Sequence, residues 1–319
     1  MRICVLALDG VFDTGLSAIL DTLQLANELA AGKSTIRGAE VTLSGVRRRV
    51  RTQQGFQVTL AALPKTRPDV VVLPALGAKT PEALESRLAE RDIGEVAGIL
   101  RAWAKAGTLL TAACTATFVL ASSGLLDDRA ATTTWWLSPY FRQRFPRVAL
   151  DESRMIVQAG KLVTAGAALA HFDLALWLVR RISPKLAQTA AHYLVFDGRP
   201  SQAAYVEQSH LAHSDPLIEA FERWTRRHLQ NFSLEDAARA IGTSERTLER
   251  RVRSVLGTSP VSFLQDLRVE RAVQQLKTST ASVDEIAEAV GYGDATTLRT
   301  LLRKKTGRGV RELRSSHRA

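Results

Sequence analysis

The sequence predicts two structural classes in one chain. An α/β domain with a mainly parallel sheet comes first, and an all-α domain follows it. Three observations carry this. Residues 1 to about 182 alternate buried-strand stretches with helical ones. Beyond them the apolar period is helical only. A short pattern is then written twice between Phe232 and Arg314, about 50 positions apart. A chain of 319 residues is long enough for two buried cores.

In order, residues 2–8 read as a buried strand and 16–30 as a helix. Residues 39–44 give a second strand, and 55–60 read as part of a hairpin. Residues 69–74 form a strand ending at Pro74, and 82–106 hold one or two helices. Residues 107–113 are a strand that runs directly into Cys114 and a helix over about 115–123. Residues 154–158 and 161–164 pair as a hairpin, and 167–181 are helical. Ligands of such sheets bind beyond the carboxyl ends of the strands, here near Asp9, Pro74 and Cys114. Ser183-Pro184 and Asp215-Pro216 each read as a cap followed by proline, opening two further helices. The domains expected are 1–196, a polar linker over 197–214, and 215–319.

Each copy of the repeat is a capped helix, a glycine and a basic helix. Ser233 and Ser282 are the caps, each with an acid three residues later (Asp236, Glu285), as in a capping box. Leu234, Ala237, Ala238 and Ile241, and likewise Val283, Ile286, Ala287 and Val290, fall on one stripe. Gly242 and Gly291 stand where a left-handed turn residue is wanted. In the next helix Leu248 and Val252 face inward, while Arg246, Glu249, Arg250 and Arg253 face out. This is the sequence form of a helix-turn-helix, whose second helix enters the major groove of double-stranded DNA. A solvated basic helix is the plain alternative for one copy; two copies in tandem argue against it.

These residues also carry a resemblance. Asp215-Pro216, Phe232-Ser233-Leu234-Glu235-Asp236, Ser244-x-Arg246-x-Leu248-x-Arg250, Gly257-x-Ser259-Pro260, Leu267-Arg268-Val269-Glu270-Arg271-Ala272 and Val283-x-Glu285-Ile286-Ala287-x-x-Val290-Gly291-Tyr292 resemble the AraC/XylS transcription regulators. The resemblance implies two recognition helices in successive major grooves, about 34 Å apart. The second copy departs from the family pattern. Leu302 holds the aromatic position, Thr300 the arginine position, and Gly309-Val310 stands where Ser-Pro is expected. The expected DNA-contacting residues are Arg246, Thr247, Glu249, Arg250 and Arg253 in the first copy, and Thr296, Arg299, Thr300, Arg303 and Lys304 in the second. Arginine pairs bidentately with guanine and glutamate accepts from cytosine. Arg253, Arg303 and Lys304 are expected on phosphates.

In the first domain the chemically suggestive residue is Cys114, at a strand-to-helix turn like a nucleophile elbow. Amides at the start of that helix are expected to lower the thiol pKa and to bind an anion. The stretch 114–126, with Arg129-Ala130-Ala131-Thr132-Thr133-Thr134-Trp135, resembles the PfpI-like branch of the class I glutamine-amidotransferase-like, flavodoxin-like fold. Joined to an AraC-type domain, it resembles the GlxA-type regulators. Catalysis needs a base beside the thiol and donors for an oxyanion. Relatives often show Thr-Thr-His-Trp where this chain has Thr132-Thr133-Thr134-Trp135, and the glycine-rich turn after Pro74 becomes Ala75-Leu76-Gly77. Asp13 is the acid near the place where that fold often has a carboxylate beside the thiol. His171 reads as a surface or cap residue at a helix start, and His192, His210 and His213 fall in or near the interdomain segment. The expected effector-pocket residues are Asp13, Ala75, Leu76, Cys114, Thr115, Thr134 and Trp135, with Cys114 equally readable as a buried structural cysteine and Trp135-Trp136 as packing.

The formal charge of +11, from 43 Lys and Arg against 32 Asp and Glu, points to a polyanionic partner. The excess is shared between the halves, so local arrangement says more. No apolar run is long enough to span a membrane, and the start lacks a secretory pattern. Two cysteines do not make a disulfide framework, which fits a reducing cytoplasm. The histidine and cysteine spacings give no metal signature, and no cofactor is implied. The reading is a cytoplasmic regulator that binds promoter DNA and a small-molecule effector and forms a homodimer. RNA polymerase is a further candidate partner, and the family resemblance implies a nitrogen-containing effector. Two alternatives stand beside it: a cysteine-dependent amidase, peptidase or glyoxalase-like enzyme with a DNA-binding tail, and a DNA-binding scaffold whose first domain only dimerises.

Overall fold

The computed structural model describes residues 1–31, 38–199, 201–206 and 215–315. The chain divides into two compact units, Met1–Gln202 and Ala203–Ala319. His210 and His213 lie outside the described residues.

The first unit is built on a six-stranded sheet in the order β2-β1-β5-β6-β10-β9. Its strands are β1 (Arg2–Leu6), β2 (Glu40–Ser44), β5 (Val70–Leu73), β6 (Leu109–Ala113), β9 (Ile156–Ala159) and β10 (Leu162–Ala165). Every pairing is parallel except β9 with β10. Strand side chains alternate in direction, and here both faces are covered, so the central strands are apolar throughout. Cys4, Leu6, Val71, Leu73 and Leu110 pack on one face with α2 (Pro81–Leu88), α3 (Arg91–Lys105) and α4 (Ala116–Ser122). Ile3, Val5, Val70, Val72 and Leu109 pack on the other with α1 (Asp13–Ala31), α6 (Ala170–Ile182) and α7 (Pro184–Tyr193). Thr80 and Ser183 cap α2 and α7. A ribbon of β3 (Arg49–Arg51) and β4 (Gln57–Thr59) stands beside the sheet, at the expected hairpin. The short strands β7 (Ala130–Ala131) and β8 (Ala149–Leu150) flank α5 (Ser138–Arg144).

Helix α1 begins at Asp13, three residues earlier than expected, because the start at Phe12 is already held. Phe12 donates to Ala75 O at 2.8 Å, and Leu16 donates back to Phe12 O. The end of the first unit is tied down by side chains. Gln202 is 1% exposed; it accepts from Ala167 N at 2.8 Å and donates to Thr133 O at 2.9 Å. Arg199 pairs with the nearly buried Asp173 at 2.7 Å.

The second unit is helical: α8 (Pro216–Arg227), α9 (Leu234–Ala240), α10 (Glu245–Leu256), α11 (Pro260–Thr278), α12 (Val283–Ala289), α13 (Ala295–Thr306) and α14 (Val310–Ser315). Each of the first six has a side-chain cap: Asp215, Ser233, Ser244, Ser259, Ser282 and Asp294. The capping box closes only in the second copy, where the Glu285 carboxylate accepts from Ser282 N at 2.6 Å. In the first copy Asp236 turns to Arg239 instead, at 3.0 Å. Gly242 and Gly291 take the left-handed conformation expected, at φ 73° and 90°. The apolar stripes are buried at their centres, Ala237, Ala238, Ile286, Ala287 and Val290. They are only half-buried at Leu234, Ile241 and Val283. Leu302, at the position of the family's aromatic residue, is wholly buried with Leu298 and Val290.

Candidate functional site

Two arrangements bear on function, one in each unit.

In the second unit, α9–α10 and α12–α13 are the two helix-turn-helix copies. Leu248, Val252 and Leu256 turn α10 inward, and Ala295, Leu298 and Leu302 turn α13 inward. The opposite faces carry the candidates. Arg246, Glu249, Arg250 and Arg253 are exposed on α10, with Thr247 half-buried. Thr296, Arg299, Thr300, Arg303 and Lys304 are exposed on α13. Among the described residues the Arg, Glu and Lys of these faces make no ion pair. The Thr247 hydroxyl accepts from Ser244 and the Thr300 hydroxyl donates to Thr296 O.

The neighbouring cations are occupied. Arg251 meets Asp215 at 2.6 Å, and Asp215 also caps α8, so this pair clamps α10 to α8. Lys305 meets Asp266 of α11 at 2.7 Å. Arg268 lies over the Tyr292 ring at 4.9 Å and donates to Leu229 O at 2.9 Å. Each helix therefore separates its cations into ones that hold the fold and ones that face solvent. Arg251 and Lys305 belong to the first group.

In the first unit Cys114 sits at φ 55°, a left-handed conformation rare for a residue with a side chain. It joins β6 to α4, the elbow geometry expected. Its N–H extends the sheet to Ala165 O at 2.9 Å, and its carbonyl accepts from the Thr133 hydroxyl at 2.8 Å. The expected low thiol pKa is not found. Cys114 is 4% exposed, and burial pushes its thiol up to about 11, against smaller opposing contributions from the Thr115 amide and the Thr134 and Thr115 hydroxyls. Thr134 Oγ1 is buried without a well-formed hydrogen bond, and the thiol is the polar group beside it.

The amides of the turn after Pro74 are engaged within the fold. Leu76 N donates to Thr115 Oγ1 at 2.9 Å, and Thr115 Oγ1 donates back to Leu76 O at 2.7 Å. Ala75 N donates to His171 Nε2 at 3.1 Å. His171 is wholly buried, which corrects its reading as a surface or cap residue. Its Nδ1 faces Ala168 O, so the neutral ring donates from Nδ1 and accepts at Nε2. Burial lowers its pKa to about 4, opposed by the bond to Ala168. With both nitrogens committed to backbone, His171 is not a base for Cys114. His192 is exposed near the end of α7.

Asp13 accepts from Gln54 N at 3.0 Å through one oxygen, and its other oxygen is buried without a partner. Trp135 and Trp136 are half-buried and meet edge to face at 5.7 Å. Beside Leu76 lies a cleft of about 230 Å³, lined by Gly10, Gln53, Gly77, Arg87 and others. Gln53 Oε1 is likewise buried and unpartnered. No group of three or more potential metal ligands occurs among the described residues.

Comparison with protein families adds to this geometry. The DJ-1/PfpI family model covers residues 1–181, and a helix-turn-helix domain model covers 237–316. The chain belongs to the DJ-1/PfpI family. It couples that domain to an AraC-type helix-turn-helix domain, the domain pair of a transcriptional regulator. It is similar to the HTH-type transcriptional regulator GbdR of Pseudomonas aeruginosa, 26% identical over 90% of this chain and 77% of GbdR. It is similar to the HTH-type transcriptional regulator GlxA of Rhizobium meliloti, 26% identical over 60% of this chain and 61% of GlxA. The fold of its first part matches an AraC family transcriptional regulator from Pseudomonas putida. The TM-score is 0.50 at 20% identity, over 60% of this chain and 98% of that one.

Proposed function

We propose that this DJ-1/PfpI-family chain binds specific promoter sites as a homodimer in the cytoplasm and is controlled by a small-molecule effector held in its first domain. The observation that carries the DNA-binding part is the pair of outward faces on α10 and α13, whose arginines make no ion pair among the described residues while adjacent cations are held in ion pairs. Arg246, Glu249 and Arg250 read bases in the first copy and Thr296 and Arg299 in the second, with Thr247 and Thr300 beside them on the same faces. Arg253, Arg303 and Lys304 hold phosphates. Asp13, Ala75, Leu76, Cys114, Thr115, Thr134 and Trp135 surround the effector site. The unpartnered oxygen of Asp13 supports polar recognition there. Residues 1–196 are assigned to the sensing domain, 197–214 to the linker, whose Arg199 and Gln202 are anchored on the first unit, and 215–319 to the DNA-binding domain.

The enzymatic alternative is disfavoured by the site's chemistry. The thiol is protonated at neutral pH, the buried His171 has both ring nitrogens engaged by backbone, and the Ala75 and Leu76 amides already have acceptors. The test is DNA affinity of Arg250→Ala. A loss of about 1–3 kcal/mol on a selected site, with relaxed preference at one base position, is expected. Equal loss on random DNA would move Arg250 to the phosphate group.

A further inference from the structure

The first unit carries an arginine-rich surface that the sensing role leaves unexplained. In the β3–β4 ribbon Arg49 stands opposite Thr59 and Arg51 opposite Gln57. Val50, 4% exposed, and Val58 point the other way and pack with Ala7, Leu43 and Leu60. Strand alternation therefore gathers Arg49, Arg51, Gln57 and Thr59 on one outer face, where all four are exposed. Arg47 and Arg48 are exposed just before it, and Phe56 is 67% exposed at the turn.

The carboxylate that touches this ribbon, Asp9, accepts from the Arg51 backbone amide at 2.8 Å rather than from a guanidinium. Among the described residues Arg48, Arg49 and Arg51 make no ion pair, and Arg47 acts at a distance on Asp92. Elsewhere the chain pairs many of its exposed arginines: Arg2 with Asp69, Arg91 with Glu95, Arg147 with Asp127 and Asp128, Arg239 with Glu235 and Asp236. Exposed Arg129, Arg154 and Arg180 also make no ion pair among the described residues; the ribbon differs in crowding four exposed arginines into residues 47–51. Adjacent like charges repel, and a polyanion relieves that repulsion while releasing its own counterions. Arg49 and Arg51 are about 6.6 Å apart along the strand, flanked by Gln57 and Thr59 as further donors. Guanidinium, amide and hydroxyl groups on a shallow ribbon suit phosphate oxygens.

We propose that the outer face of the β3–β4 ribbon is a second contact to double-stranded DNA, made to phosphates and independent of sequence. The inference rests on the DNA-binding reading, since the second domain tethers the ribbon's unit to the duplex at high local concentration.

The test uses the full chain with a selected duplex and a random duplex of equal length, titrated across salt. Removing two phosphate contacts in Arg49→Gln/Arg51→Gln lowers the slope of log affinity against log salt by about 1.8. Between 50 and 200 mM salt the wild type then loses about 12-fold more affinity than the variant. The same change is expected on both duplexes, and Arg49→Lys/Arg51→Lys restores the slope. A slope equal to wild type in the glutamine variant overturns the proposal, as does a loss confined to the selected duplex. If wild type shows no preference for the selected duplex, the specific-regulator reading fails. The slope on random DNA still tests the ribbon.

Discussion

Gly242 and Gly291 occupy equivalent places in the two repeats, yet alanine is expected to act very differently at each. Both have positive φ, so an added Cβ costs about 1–2 kcal/mol at either position. At Gly242 nothing lies within 4 Å of the new atom. At Gly291 it would lie 2.6 Å from Leu229 O, 2.7 Å from Arg268 Nη2 and 2.8 Å from Gln230 Cα. Two of these are backbone atoms, and the third belongs to the guanidinium that bonds Leu229 O and covers Tyr292. Overpacking adds about 1–3 kcal/mol, and losing the charged hydrogen bond adds about 1.5–3 kcal/mol. These effects overlap, so the Gly291→Ala total is about 3–5 kcal/mol against about 1–2 for Gly242→Ala. Urea denaturation of the full-length variants, with hydrogen exchange read separately in α9 and α12, resolves the two. The reasoning fails if both substitutions cost the same, or if α12 stays as protected in Gly291→Ala as in wild type.

Two further outcomes concern the first unit. The pKa of His171 falls to about 4 on folding, so the native state favours the neutral ring. Its contribution, about 3 kcal/mol, is present above the unfolded value of about 6.5 and is lost as pH falls through 4. Stability against urea should show this acid limb in wild type and lack it in His171→Gln; an identical limb in both assigns it to other groups. The Cys114 thiol, raised to about 11, should react with a maleimide slowly at neutral pH, at a rate that rises steeply toward pH 11 in a Cys4→Ala background. Half-maximal reactivity below pH 8.5 would contradict the buried, protonated thiol and reopen the enzymatic alternative.

The sequence made local features legible. The caps at Ser183, Asp215, Ser233 and Ser282 are each read from a few consecutive residues, and each bonds an amide two or three positions on. The elbow at Cys114 was visible because an apolar strand meets a helix without an intervening loop. What escaped is set by long-range contact. His171 meets Ala75 across 96 residues and Gln202 meets Thr133 across 69; neither spacing leaves a periodic trace. The closing of one capping box and not the other was also illegible, because Asp236 is a methylene shorter than Glu285 and has Arg239 within reach. The raised thiol pKa is illegible in the sequence for a related reason. Helix amides are apparent from the helix start, whereas the desolvation that outweighs them comes from elements distant in sequence.

The measurement that tests the central claim most directly is selection of genomic DNA fragments on the purified full-length protein at near-physiological salt, run beside Arg250→Ala. Wild type is expected to enrich a shared motif spanning two adjacent major grooves, about 34 Å apart, and Arg250→Ala to lose it. No enrichment over random DNA, with or without a cell metabolite extract, would contradict the account.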